Sequence, residues 1–186
     1  MKRFICALLL VVCACASAQL HHDPLTSIEV DQMRDTAQDP ERRIDLLLGF
    51  ARTRLLGVAG LHIDTKSGRP GLAKAEELLG DFALIIDELD DNLDMYDTRG
   101  EDLRTSLRHV LDAESGLQQQ LKGLADQLAQ VQAQGSQGST AVGLTAALAD
   151  ATDSLQSSNE SAGSMLAAQE RKRGEAGSEK KSGPPQ

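Results

Sequence analysis

Apolar side chains recur along this chain at alternating steps of three and four residues, the spacing that lays a stripe down one side of an α-helix. The pattern is plainest in Leu72, Ala75, Leu79, Phe82, Ile86, Leu89, Leu93 and Tyr96, which form a seam of heptads. Leu78, Ala83 and Ile85 widen that seam, so its helix is expected to meet more than one neighbour. A second seam follows in Leu103, Leu107, Val110, Leu117, Leu121, Leu124, Leu128 and Val131. Before them, Ile44, Leu47, Leu48, Ala51, Leu55, Val58 and Ala59 mark one buried face, and an alanine-rich segment carries Val142, Leu144, Leu148, Ala151, Leu155, Met165 and Leu166. No stretch shows a convincing strand alternation.

Boundary signals divide these stripes into elements. Thr26-Ser27-Ile28-Glu29 has the spacing of a capping box and predicts a short helix running to about Gln38. Asp39 then caps a second helix with Pro40 at its first position, where the missing N–H costs nothing. That helix is expected to fade near Thr65, and Lys66-Ser67-Gly68-Arg69-Pro70 to turn the chain. The two long seams keep one phase through Gly100, so one very long helix is conceivable. Thr98-Arg99-Gly100-Glu101 nevertheless has capping-box spacing with a glycine inside it, which favours a turn. Gly135 to Ser139 reads as a flexible connection. The expected fold class is all-α: an antiparallel helical bundle of about four long amphipathic helices plus a short N-terminal helix, with coiled-coil-like seams. The bundle domain is placed at 26–172, after a flexible segment at 19–25, and 173–186 is expected to be a disordered tail of glycine, lysine, glutamate and proline. Arg171-Lys172-Arg173 and Lys180-Lys181 favour the last helix's C-terminal dipole and keep the tail solvated.

The front of the chain has a different character. Met1-Lys2-Arg3 precedes a short apolar run, and Ala16-Ser17-Ala18 supplies the small residues a signal peptidase needs, so 1–18 is expected to be a secretory signal peptide and Gln19 the first mature residue. The alternative is lipidation at Cys15, although Cys13 fits the lipobox poorly. Either way the location expected is periplasmic or secreted, with no transmembrane span in the mature chain. All three cysteines, Cys6, Cys13 and Cys15, sit in this leader, so the mature domain is expected to be stabilised by packing rather than by a disulfide. The formal net charge is −9 and aromatic residues make up 2% of the chain, a composition that excludes binding to phosphate backbones or stacked bases as a primary role.

Two constellations invite a metal. A chain beginning Gln19-Leu20-His21 offers an amine, two deprotonable amides and an imidazole to Cu(II) or Ni(II) in a square plane, with His22 or Asp23 as an axial ligand. Cyclisation of Gln19 would remove the amine, and an incidental histidine pair is the plainer reading. In the acidic run Asp87 to Glu101, the residues Asp90, Asn92, Asp94, Tyr96, Thr98 and Glu101 fall at the ligand positions of a calcium loop. Met95 stands where that loop needs glycine, and the seam runs straight through, so an exposed acidic face of Asp87, Asp90, Asp91, Asp94 and Asp97 is the stronger reading. His62 and His109 lack a Glu or His at helical ligand spacing and read as surface or boundary residues. No nucleophile elbow, phosphate loop or metalloprotease motif occurs, and no cofactor is expected.

The strings Asp35 to Ile44, Phe50-Ala51-Arg52 and Asp87 to Asp94 resemble a group of exported all-helical bacterial proteins without an assigned activity, over roughly Leu25 to Leu128. The resemblance implies an exported bacterial setting and carries no mechanism. The function expected is therefore that of a non-enzymatic structural or interaction module, whose heptad seams suit an unknown protein partner or self-association. The competing expectation is a metal-binding envelope protein using the Gln19 terminus or the acidic helix face.

Overall fold

The computed structural model describes residues 23–61, 69–133 and 139–179. They form five helices: α1 (Ser27–Asp35), α2 (Pro40–Gly60), α3 (Arg69–Thr98), α4 (Arg104–Ala133) and α5 (Ser139–Glu179). The expected all-α bundle is what the chain builds. The expected signal peptide and the Gln19 to His22 segment lie outside the described residues, as do His62, Thr65, Lys66 to Gly68 and most of the glycine connection expected before Ser139.

The helix starts read from the sequence are made by the atoms expected. Thr26 N–H donates to the Glu29 carboxylate at 2.8 Å while Glu29 N–H donates back to the Thr26 hydroxyl at 3.3 Å. Asp39 accepts from Arg42 N–H at 3.1 Å, with Pro40 first in α2. The break between the two long seams is also present, but by different chemistry. Thr98 is the last residue of α3 and caps nothing. Gly100 takes a left-handed φ of 78°, and its N–H donates to the Asp97 carbonyl at 2.8 Å while Glu101 N–H donates to the Tyr96 carbonyl at 3.1 Å. That pair of bonds is a Schellman stop, which needs a residue tolerating positive φ just past the helix. A continuous helix would have kept the seams in phase; the glycine instead ends α3 and returns the chain.

α2, α3, α5 and α4 follow one another around the bundle, so the consecutive helices α3 and α4 stand on opposite corners. Consecutive helices run antiparallel: Arg43 early in α2 meets Asn92 late in α3, and Arg108 early in α4 meets Glu170 late in α5. The side-by-side pairs α2/α4 and α3/α5 point the same way, as Asp45 with His109 and Asp97 with Gln169 show. α1 lies back along α2. Leu79, Phe82, Ile86, Leu89 and Leu93 of α3 are at most 1% exposed and join Leu47, Leu55, Leu107, Leu117 and Leu155 in one core. Each such side chain contributes roughly 1.5–3 kcal/mol by leaving water.

Four expectations change. α1 ends at Asp35 rather than near Gln38, with Thr36 as its cap and the Thr36 N–H donating to the Met33 carbonyl at 3.3 Å. Ala59 and Val142 are exposed, because each is out of phase with its helix's buried stripe: Val142 precedes Leu144 by two residues, about 200° around the helix. The helix expected to stop near Arg173 continues to Glu179, since an established helix extends at the low cost of one fixed residue per added hydrogen bond. Arg69 and Pro70 open α3 rather than belonging to the turn before it.

Candidate functional site

Four polar residues occupy positions that the apolar repeat reserves for the core. Arg54 falls between Ala51 and Val58, Asn92 between Leu89 and Tyr96, Glu114 between Val110 and Leu117, and Ser158 between Leu155 and Ala162. All four are buried, at 6%, 4%, 0% and 1% exposure. A polar group in the interior is costly unless its bonds are satisfied, and every buried side-chain nitrogen and oxygen among the described residues has a partner.

Arg54 fastens α1. Its Nη1 donates to Glu29 Oε1 at 2.8 Å and its Nη2 to Glu29 Oε2 at 2.7 Å, a two-pronged grip, while Nη2 also donates to the Pro24 carbonyl at 2.6 Å. On the other side Nε sits 3.4 Å from Asp81 of α3, whose side chain is itself buried. Hydrogen bonding from Arg54 holds the Glu29 carboxyl below its ordinary range, against the opposing effect of burial. Glu29 thus serves two helix-holding roles, closing the α1 cap and neutralising Arg54. The far end of α1 is held by Arg43, which donates to the Met33 carbonyl at 3.1 Å and to Asn92 Oδ1 at 2.6 Å, with Glu88 3.4 Å away. Asn92 Nδ2 in turn donates to the Glu88 carboxylate at 2.9 Å.

Glu114 and Ser158 make a junction of a different kind. Ser158 Oγ of α5 lies 2.8 Å from Glu114 Oε1 of α4 and 3.4 Å from Asp90 Oδ1 of α3. Asn159 Nδ2 donates to the other Glu114 oxygen at 3.0 Å. Burial pushes the Glu114 carboxyl above its ordinary range, and the nearby Asp90 adds to the shift. Asp90 is raised too, first by burial and then by repulsion from Asp94. The three side chains tie α3, α4 and α5 together.

At the Gly100 end a cleft of about 470 Å³ opens among Asp97, Glu101, Asp102, Arg104, Gln169 and Lys172. Gln169 closes its floor, donating to Asp97 at 2.8 Å and to the Glu101 carbonyl at 3.0 Å while accepting from Leu103 N–H at 2.9 Å. Arg104 Nε donates to Asp102 at 2.7 Å and holds that exposed carboxyl at about 2. The lining pairs acids with bases, so the cleft has no dominant sign of charge.

The candidate calcium ligands do not converge. The run from Asp90 to Thr98 is continuous helix, which puts Asn92 about 200° around from Asp90. Asn92 is spent on Arg43 and Glu88, Asp90 faces Ser158, Asp94 is exposed, and Glu101 lies beyond the Schellman stop. Among the described residues no three His, Cys, Asp or Glu side chains group as a metal site. Of the N-terminal candidates, Gln19, Leu20 and His21 lie outside the described residues, and Asp23 accepts from Leu25 N–H at 2.9 Å. His109 is exposed and pairs with Asp45 at 3.2 Å.

The buried polar set was legible in principle, as gaps in the seams; reading only the apolar positions passes over it. No described helix is long and apolar enough to cross a membrane. Comparison with protein-family models, curated proteins and solved structures finds no match to this chain.

Proposed function

We propose that this chain is an exported, non-enzymatic helical bundle that acts as a protein-interaction module through the outward face of α3. The observation that carries the reading is a stripe at helical spacing on that face. Leu84 and Met95 are 45% and 37% exposed, and the carboxylates of Asp87, Asp91 and Asp94 stand in the solvent between them. Exposed apolar side chains flanked by one sign of charge suit a basic amphipathic helix, whose apolar face would meet Leu84 and Met95 while its cations meet the aspartates. The inward polar groups support a scaffold role, since they spend their bonds on fastening helices to one another. The exported, bacterial setting rests on the leader sequence and on the resemblance of Asp35 to Ile44 and Asp87 to Asp94.

The test is reversal of the stripe. Asp87→Lys, Asp91→Lys and Asp94→Lys together leave the core untouched and abolish complexes recovered by crosslinking in the native envelope, while light scattering of the purified chain separates a second copy from another protein. A single-chain mass together with an unchanged crosslinking pattern contradicts the reading. The competing function, copper or nickel binding, is favoured by histidine at the third mature position, His21. It requires calorimetric heat with Cu(II) or Ni(II) from the processed chain, lost in His21→Ala.

A further inference from the structure

We propose that Asp90, Ser158 and Glu114 hold one shared proton in the folded protein at neutral pH, which makes the packing of α3, α4 and α5 a proton-linked contact that weakens as pH rises. A serine hydroxyl carries one proton, so Ser158 donates to one of its two carboxyl neighbours at a time. With both acids ionised, the second carboxylate oxygen would face the hydroxyl oxygen 2.8 or 3.4 Å away with no proton between them. One added proton removes the conflict: Asp90 protonated donates to Ser158 Oγ, Ser158 donates to Glu114 Oε1, and Asn159 donates to Glu114 Oε2. Each contact then has one donor and one acceptor.

Charges around the junction supply no substitute for that proton. On α3, Asp87 and Asp94 add repulsion to Asp90. On α5 the facing groups are Ser158, Asn159 and Ser161; Ser161 also donates to Asp90 and opposes its upward shift, but none of the three is cationic. Among the described residues no cation lies within ion-pair distance of Asp90 or Glu114, and Arg43, Arg54 and Arg108 of the neighbouring helices are engaged with Glu88, with Glu29 and Asp81, and with Glu170. Glu114 is fully buried, so water does not replace them on its side, while Asp90 is half-buried. Burial raising both carboxyls agrees with this geometry. The linkage has a definite sign. An acid whose folded value is raised contributes stability that is complete below its unfolded value and is lost as pH rises through the folded one.

The experiment is urea unfolding of the full processed chain against pH, with Glu114→Gln beside it. Glutamine keeps the shape, donating to Ser158 and accepting from Asn159, and removes the titration. The native chain's folded-to-unfolded ratio is expected to fall by about tenfold or more between pH of about 5 and about 8 relative to Glu114→Gln. Parallel profiles for the two proteins overturn the proposal. Carbon-13 carboxyl shifts of the native chain give a readout that depends on no variant: a carboxyl still protonated at pH of about 7 supports the shared proton, and both carboxyls ionised at pH of about 7 refutes it. Stabilisation of the native chain by Mg²⁺ or Na⁺ at alkaline pH, absent in Glu114→Gln, with both carboxyls ionised throughout, would assign the position to a cation and overturn the proton.

Discussion

Replacing Arg54 by leucine tests whether α1 is held by an ion pair or merely by contact. The guanidinium is 6% exposed and makes two bonds to Glu29 at 2.7 and 2.8 Å, one to the Pro24 carbonyl at 2.6 Å, and approaches Asp81 at 3.4 Å. Leucine fills part of the stem volume but takes the cation from two largely buried carboxylates. Breaking a buried pair from one side costs about 3–5 kcal/mol, because the remaining charge is left without its compensation. Glu29 can escape part of that cost by swinging into water with α1, whereas Asp81 belongs to α3 and stays in the bundle. The expected result is therefore a loss of about 3 kcal/mol in urea unfolding at neutral pH, together with loss of amide hydrogen-exchange protection in Val30 to Arg34. The pH dependence has a fixed sign. Glu29 is depressed in the folded state by hydrogen bonds from Arg54, so its contribution is present above its unfolded value and fades as pH falls through the folded one. The Arg54→Leu deficit should shrink in acid as Glu29 takes a proton. A deficit below about 1 kcal/mol at neutral pH, the level of an exposed pair, would refute the reasoning.

Other outcomes follow from the same structure. Gly100→Ala is expected to cost about 1–2 kcal/mol in thermal unfolding, since φ of 78° is unfavourable for any side chain even though nothing lies within 4 Å of the added Cβ. Leu93→Ala removes a side chain with no exposed surface from the α3 seam and should cost about 2–5 kcal/mol in urea unfolding. Asp45→Ala should change stability by less than about 0.5 kcal/mol at any pH, because its pair with His109 is more than half exposed on both sides.

The helices were legible because their apolar periodicity is long and uninterrupted in kind. Leu72 to Tyr96 announces α3 residue by residue, and Thr26 and Asp39 announce the starts of α1 and α2 through side chains that reach only three residues. The stop after Thr98 was legible as a glycine in phase with two seams, although the capping box suggested there is not formed. Arrangement was harder to read. That α3 and α5 lie side by side and parallel depends on which stripe meets which, and several leucine stripes are nearly interchangeable. The polar interior was missed for a related reason. Glu114 and Ser158 belong to different helices, and neither carries a sequence mark of the other; what each does carry is a polar residue at a core position of its own repeat. Arg54 and Asn92 show the same mark. Asn92 drew notice only for its spacing from Asp90 and Asp94, a spacing that a loop would use and a helix scatters. The useful signal in such a bundle is the exception in the seam.

The proposed working surface is the α3 stripe, and a photo-reactive amino acid placed at Leu84 tests it in the native envelope, with the exposed Gln119 of α4 as the comparison site. A discrete crosslinked product is expected from position 84, lost when Asp87, Asp91 and Asp94 are reversed to lysine, and none from position 119. Equal products from both positions, or a product from 84 that survives the charge reversal, would contradict it.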